Sequence, residues 1–248
     1  GRAAFRDYPV REDLVLERNG LRVGLFGLFG ESAADDSPFA ETAVFGDSVE
    51  SARAAVERLK KDGRADIVVC LSHGGRSSTG RSEDEELAKA VPGIDVIVSG
   101  HTHTRLERPI VAGRTIIVSA GAYGEALGKL EIEADGAAGV RVLSYELKAV
   151  TAEVTEEPAM AAAVGEIRAL VDRGLAGEFP GGSGQVLAES AFDFEPLAGL
   201  VNHPGEAALG DLITEAFREA VRRAEGPAYR HVHIVVEPNG LIRDSFVR

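Results

Sequence analysis

Cysteine is nearly absent from the sequence. The single thiol, Cys70, excludes any disulfide within the chain, and so a disulfide-stapled framework. It sits in the apolar run Ile67-Val68-Val69-Cys70-Leu71, where a buried, inert thiol is expected. No run of 18 apolar residues occurs, which leaves no candidate for a membrane-spanning helix. Cations are in the minority, 27 Lys and Arg against 40 Asp and Glu, for a net charge of −13. So acidic a chain lacks the basic footprint that a nucleic-acid polymer requires. It does not exclude a small phosphorylated substrate, because a bound metal ion reverses the local field. The residues Gly1-Arg2-Ala3-Ala4-Phe5-Arg6 do not read as a secretory signal. If the chain is part of a longer protein, a leader lost with the true start leaves no trace here.

What is present suffices for a sizeable core: 248 residues, 44% of them hydrophobic, enough for one large domain or two smaller ones. Asn19-Gly20 between Leu14–Glu17 and Leu21–Phe26 is a hairpin signal. Asp47 with Glu50 marks a helix start, after which Val49, Ala52, Val56 and Leu59 recur at helical spacing. Buried strands are expected at Ile67–Leu71 and Ile94–Ser99, with a short helix at Glu83–Val91 between them. That alternation suggests an α/β layer. Thr115–Ala120, Gly128–Glu133 and Gly139–Leu147 read as antiparallel strands closing the domain. Pro158 opens a further helix with Met160, Val164, Ile167 and Val171 on one face. Gly177–Gly184 is the best linker candidate, a helix is expected from about Glu206 to Arg223, and a strand at Val232–Glu237.

Two segments carry the chemistry. Leu71-Ser72-His73-Gly74-Gly75 and Ser99-Gly100-His101-Thr102-His103 each follow a buried strand immediately. Ligands of open α/β sheets gather at the carboxyl ends of strands, so the three imidazoles can meet at one place. Neutral imidazole is a ligand for Zn, Fe, Ni and Mn-type ions, and glycine beside each histidine permits tight turns close to an ion. His231 and His233 would share a strand face without a third ligand nearby, which reads as strand surface. The acidic run Glu83–Glu86 reads as a helix start favoured by the macrodipole.

These segments, in their order, resemble the calcineurin-like metallophosphoesterases, and among them the 5′-nucleotidase/UDP-sugar hydrolase family. The resemblance runs through Gly20-Leu21-Arg22-Val23-Gly24-Leu25-Phe26-Gly27-Leu28 and Asp66-Ile67-Val68 to His73-Gly74-Gly75. It continues in Asp84 with Leu87-Ala88, Gly93-Ile94-Asp95-Val96-Ile97-Val98-Ser99-Gly100-His101-Thr102-His103-Thr104, Ala120-Gly121-Ala122-Tyr123-Gly124 and Leu127-Gly128. The Gly-His-x-His block is its most specific part. Gly205–Ile213 and Asn239-Gly240-Leu241-Ile242-Arg243 resemble the start of the family's C-terminal nucleotide-recognition domain.

The resemblance implies a partial metallophosphoesterase α/β/β/α sandwich over residues 1–150, a connecting helix and linker over 151–182, and the start of an α/β 5′-nucleotidase C-terminal domain over 183–248. It implies that His73 and His101 ligate one metal and His103 the other, and that Arg243 and Asn239 contact substrate. It further implies two divalent ions (Mn, Zn, Fe or similar) in the intact parent, a nucleotide as the small phosphorylated substrate, and a periplasmic or extracellular location. Cyclic-nucleotide or UDP-sugar/pyrophosphate hydrolysis, or a non-catalytic binding module on the same fold, are the alternatives. The family's upstream motifs include Asp-x-His and Gly-Asn-His, and neither string occurs among the 248 residues. The expectation is therefore a fragment with half of the metal site and no assignable catalytic residue. Such a fragment would bind one ion weakly or none, and would be weakly active or inactive. Missing sheet strands would also leave an open edge that invites self-association.

Overall fold

The hairpin forms where the turn residues demand it. Asn19 and Gly20 both adopt positive φ, 51° and 78°, the combination a two-residue turn between right-twisted strands needs. β1 (Leu14–Arg18) thereby pairs antiparallel with β2 (Leu21–Phe29). The computed structural model describes residues 10–37, 40, 43–76, 80, 82–134, 139–196, 205, 207–238 and 242. The chain divides into two compact units, Gly1–Glu156 and Glu157–Arg248.

In the first unit, β3 (Ile67–His73) lies parallel to β2, from Val23 opposite Ile67 to Phe29 opposite His73. β4 (Val96–Ser99) lies parallel to β3, ending with Ser72 opposite Ser99. β6 (Thr115–Val118) continues the parallel run beside β4, and β5 (Ile110–Ala112) closes that side antiparallel. The sheet order is β1-β2-β3-β4-β6-β5. Parallel neighbours require crossovers, and helices supply them. Between β2 and β3 run the short α1 (Glu31–Asp35) and α2 (Ser48–Lys60); between β3 and β4 runs α3 (Glu83–Ala90). The Asp47 carboxylate caps α2 by accepting from Glu50 N at 2.8 Å. Its inward face presents Ala52, Ala55, Val56 and Leu59 to the sheet.

The strand period of two sends alternate residues to opposite faces. Phe26, Val68, Cys70, Ile97 and Ile117 join the helices in the main core. Val69, Val96, Ile116 and Val118 face the other way, onto a second, two-stranded sheet of β7 (Ala126–Ala134) and β8 (Val140–Ala149), which contributes Leu130, Ile132, Val140, Val142 and Tyr145. The unit is a mixed α/β fold with a parallel-rich sheet, as the sequence implied. One expectation is corrected. Thr115–Val118 is no part of an antiparallel closing sheet: all four residues are buried, and the strand sits inside the main sheet, parallel to β4. A strand covered on both faces is the setting such an uninterrupted apolar run prefers.

In the second unit, α4 (Pro158–Leu175) starts at Glu157, whose carboxylate accepts from Met160 N at 2.7 Å. Met160, Val164, Ile167 and Val171 share a face that is exposed. α5 (Ala208–Glu225) is capped from a distance, the Glu195 carboxylate accepting from Ala208 N at 3.2 Å. Ala207 and Ile242 are buried together beside Leu209 and Ile213. The expected strand Val232–Glu237 is not formed: residues 231–238 hold no regular structure. Ile234 and Val236 are each 79% exposed, and no strand among the described residues offers the hydrogen bonds that an extended segment needs. Among the described residues, no helix is long and apolar enough to cross a membrane.

Candidate functional site

β3 and β4 end side by side, and the residues that follow them bring the histidines together. The His73 and His101 rings lie 5.1 Å apart, tilted by 51°. His73 also stacks on Phe29, the last residue of β2, at 5.5 Å and 17°, and Phe29 stacks on Phe45 at 5.4 Å and 22°. Three neighbouring parallel strand ends thus feed one column of rings. His103 stands apart from that column, its ring meeting the edge of Tyr123 at 5.2 Å. Among the described residues, the nearest carboxylate to His101 is that of Asp36, 3.8 Å from Nε2 and 76% exposed.

The backbone here is strained. His101, His103 and Tyr123 adopt φ of 68°, 55° and 56°, a left-handed conformation that costs free energy for any residue with a Cβ. Local bonds hold it in place. Thr102 Oγ1 accepts from Arg76 N at 2.9 Å and shares a 3.0 Å hydrogen bond with Thr104, while Ser119 Oγ donates to Thr104 O at 2.6 Å. Two glycines let the loops meet. Gly30 N donates to His73 O at 3.2 Å, and a Cβ there would stand 2.5 Å from Gly74 Cα. A Cβ on Gly75 would stand 2.5 Å from Gly100 O.

Although His73 is exposed, partial desolvation, and after it repulsion from His101 and His103, hold its imidazole below the ordinary pKa of 6.5. The neutral form, which ligates metals, is thereby favoured. Two of the three imidazoles meet, which is part of what the two-metal centre implied by the resemblance would need. Among the described residues, however, no group of three or more His, Cys, Asp or Glu side chains is gathered as a metal-holding cluster. A carboxylate between two divalent cations normally offsets their charge, and Asp36 is peripheral. The described residues therefore do not fit a complete two-metal centre. Asn239 and Arg243 lie outside the described residues.

Sequence reasoning read Glu83 as part of an acidic helix start and included Asp84 in the resemblance, but missed that their carboxylates tie the loops of this site together. A signal was available: Asp84 lies three and four residues before Leu87 and Ala88, placing a carboxylate on the buried face of α3. It missed the aromatic column of Phe29 and Phe45 as well. At the other ends of the same strands, a cavity of about 680 Å³ includes Lys60, Asp66 and Asp95 in its lining. Lys60 lies 3.5 Å from Asp95, and Asp66 is paired with Arg22, so these charges are internally matched.

The first unit is a mixed α/β fold with a parallel-rich sheet and histidines at its carboxyl edge, and comparisons with known proteins bear on the family. No protein-family model matches the chain. The trifunctional nucleotide phosphoesterase protein YfkN of Bacillus subtilis is 34% identical over 125 residues, 49% of this chain and 8% of that protein. A probable 5′-nucleotidase of Treponema pallidum is 31% identical over 141 residues, 49% of this chain and 23% of that protein. The crystal structure of a 5′-nucleotidase precursor from Thermus thermophilus matches with a TM-score of 0.67 at 29% identity, covering 86% of this chain and 43% of that one. These matches support the calcineurin-like 5′-nucleotidase family for this chain, at partial coverage. The chain spans less than half the length of each.

Proposed function

We propose that this chain contributes part of the site of a metal-dependent phosphoric ester hydrolase acting on a nucleotide, most simply a 5′-nucleotidase. The reading is carried by the contact of His73 with His101 at adjacent parallel strand ends. Relatives that are nucleotide phosphoesterases support the substrate class. In this reading His73, His101 and His103 are ligands offered to divalent ions, and Asn239 and Arg243 contact the substrate. The ions would supply electrostatic stabilisation of the phosphoryl group.

This chain's own residues do three things toward that end. The Phe29–His73–His101 column fixes two imidazole planes against one another. Partial desolvation, with repulsion from His101 and His103, favours the neutral form of His73. The close approach of the loops holds the strand ends together. Lacking a carboxylate bridge among the described residues, the chain by itself binds one ion weakly or none and hydrolyses slowly or not at all. A periplasmic or extracellular site of action belongs to the same proposal and rests on the resemblance alone.

The test is calorimetric titration of the 248-residue chain with Mn²⁺ and Zn²⁺, beside a hydrolysis assay with nucleoside 5′-monophosphates, 2′,3′-cyclic nucleotides and UDP-sugars. Weak binding that His101→Asn abolishes, or no binding at all, is expected. Two tight sites in this chain would refute the half-site reading, and binding untouched by His101→Asn would remove the histidines from it.

A further inference from the structure

α3 begins with two carboxylates that point into the site's scaffold. Asp84 is 2% exposed. Its Oδ1 accepts from Ser72 Oγ at 2.5 Å and its Oδ2 from Gly75 N at 3.1 Å, while Ser72 Oγ itself accepts from Gly74 N at 3.2 Å. His73 lies between these anchored residues. Glu83, the preceding residue, holds the next loop: its Oε2 and Oε1 accept from Glu31 N and Ser32 N, each at 3.0 Å. The loop it holds begins at Gly30, which donates to His73 O.

A buried carboxylate is a costly way to fill space. An apolar residue on the same face as Leu87 and Ala88 would pack without desolvating a charge. What the carboxylate supplies, and an apolar side chain cannot, is a pair of directed acceptors for the 72–75 backbone and hydroxyl. We propose that Asp84, seconded by Glu83, is a positioning residue. It fixes the turn after β3 so that the His73 imidazole stands against His101. The functional meaning rests on the proposed role of those imidazoles, whereas the geometry can be tested without it.

The experiment is NMR on the full 248-residue chain, comparing Asp84→Ala, Asp84→Asn and Ser72→Ala with the parent. Three signals are read: the nuclear Overhauser effect between the His73 and His101 rings, the exchange rate of the Gly75 amide, and the Ile117 methyl shifts as a core control. In Asp84→Ala the inter-ring effect should vanish. The Gly75 amide should exchange about tenfold faster, as loss of a hydrogen bond to a charged acceptor requires. Ile117 should be unmoved. Asp84→Asn should restore much of the effect, because its amide oxygen still accepts from Gly75 and its nitrogen donates to Ser72. Ser72→Ala, which keeps the Gly75 bond, should be intermediate and supplies a folded comparison if Asp84→Ala does not fold. Unchanged His73 and Gly75 signals in every variant would overturn the proposal, as would shifts spread evenly through Ile117 and the rest of the core. If these signals respond as expected while measurable metal binding shows no dependence on His101, the site reading falls and the positioning role stands.

Discussion

Replacing Gly75 with alanine strikes the joint between the two histidine loops. Gly75 has φ +76°, and its added Cβ would stand 2.4 Å from Thr102 Oγ1, 2.5 Å from Gly100 O and 2.8 Å from Thr102 Cγ2. Thr102 cannot simply turn away, because its Oγ1 accepts from Arg76 N. The Gly100 carbonyl is backbone, held by Thr102 N at 2.9 Å, so relief requires the loops to part by about 1 Å. Left-handed backbone costs about 1–2 kcal/mol for alanine, and overpacking of this kind about 1–3 kcal/mol. Gly75→Ala should therefore destabilise the loops by about 2–5 kcal/mol. Hydrogen exchange read by mass spectrometry over residues 67–76 and 96–105 measures this locally, without assuming one unfolding transition for two units. Gly27→Ala is the control. No heavy atom of the described residues lies within 4 Å of its Cβ, and relieving a strand glycine should leave stability level or raise it by about 0.5–1 kcal/mol. Parent-like exchange in Gly75→Ala, or equal damage from Gly27→Ala, would refute the reasoning.

Leu59→Ala empties a fully buried position under the sheet and should cost about 2–5 kcal/mol in urea unfolding of the first unit; a loss below about 1 kcal/mol would contradict the described core. Burial, and then the charge of Asp84, push the Cys70 thiol well above its ordinary range. Ellman's reagent at about pH 8 should accordingly react only after denaturation, and immediate labelling of the native chain would count against its burial. Hydrogen bonds from Arg22 draw the Asp66 carboxyl down from 3.8 to about 2. Between those values the unfolded chain binds more protons than the folded one, so the Asp66 contribution is fully present above about pH 4 and is lost as pH falls through about 2. Asp66→Asn should flatten the stability profile in that window, and an unaltered acid limb would show that the pair contributes nothing measurable.

Much of the first unit was legible in the sequence because local chemistry and tertiary structure agree there. Asn19-Gly20 turns, Asp47 caps, and the apolar runs before His73 and His101 become neighbouring strands. What escaped was decided by distant partners. The run Thr115–Val118 carries no mark of which strand it joins, although its unbroken apolar character fits an interior position better than a half-exposed one. Glu83 looks like an ordinary acidic first turn until Glu31 N and Ser32 N are placed against it, 52 and 51 residues upstream. Residues 232–237 are rich in β-branched side chains, as a strand should be, yet composition does not provide a pairing partner.

The left-handed backbone at His101 and His103 changes how this site is best dissected. Each of these positions already works against its own Cβ. Removing the ring by alanine keeps that opposition while discarding the contacts that hold the loop. A β-branched replacement would add a steric conflict unrelated to metal or substrate. Asparagine tolerates this conformation best among residues with a side chain, and glycine removes the conflict altogether. A set of His, Asn and Gly at position 101 would therefore separate the contribution of the imidazole from that of the loop's shape, a distinction that an alanine scan of the same loop would blur.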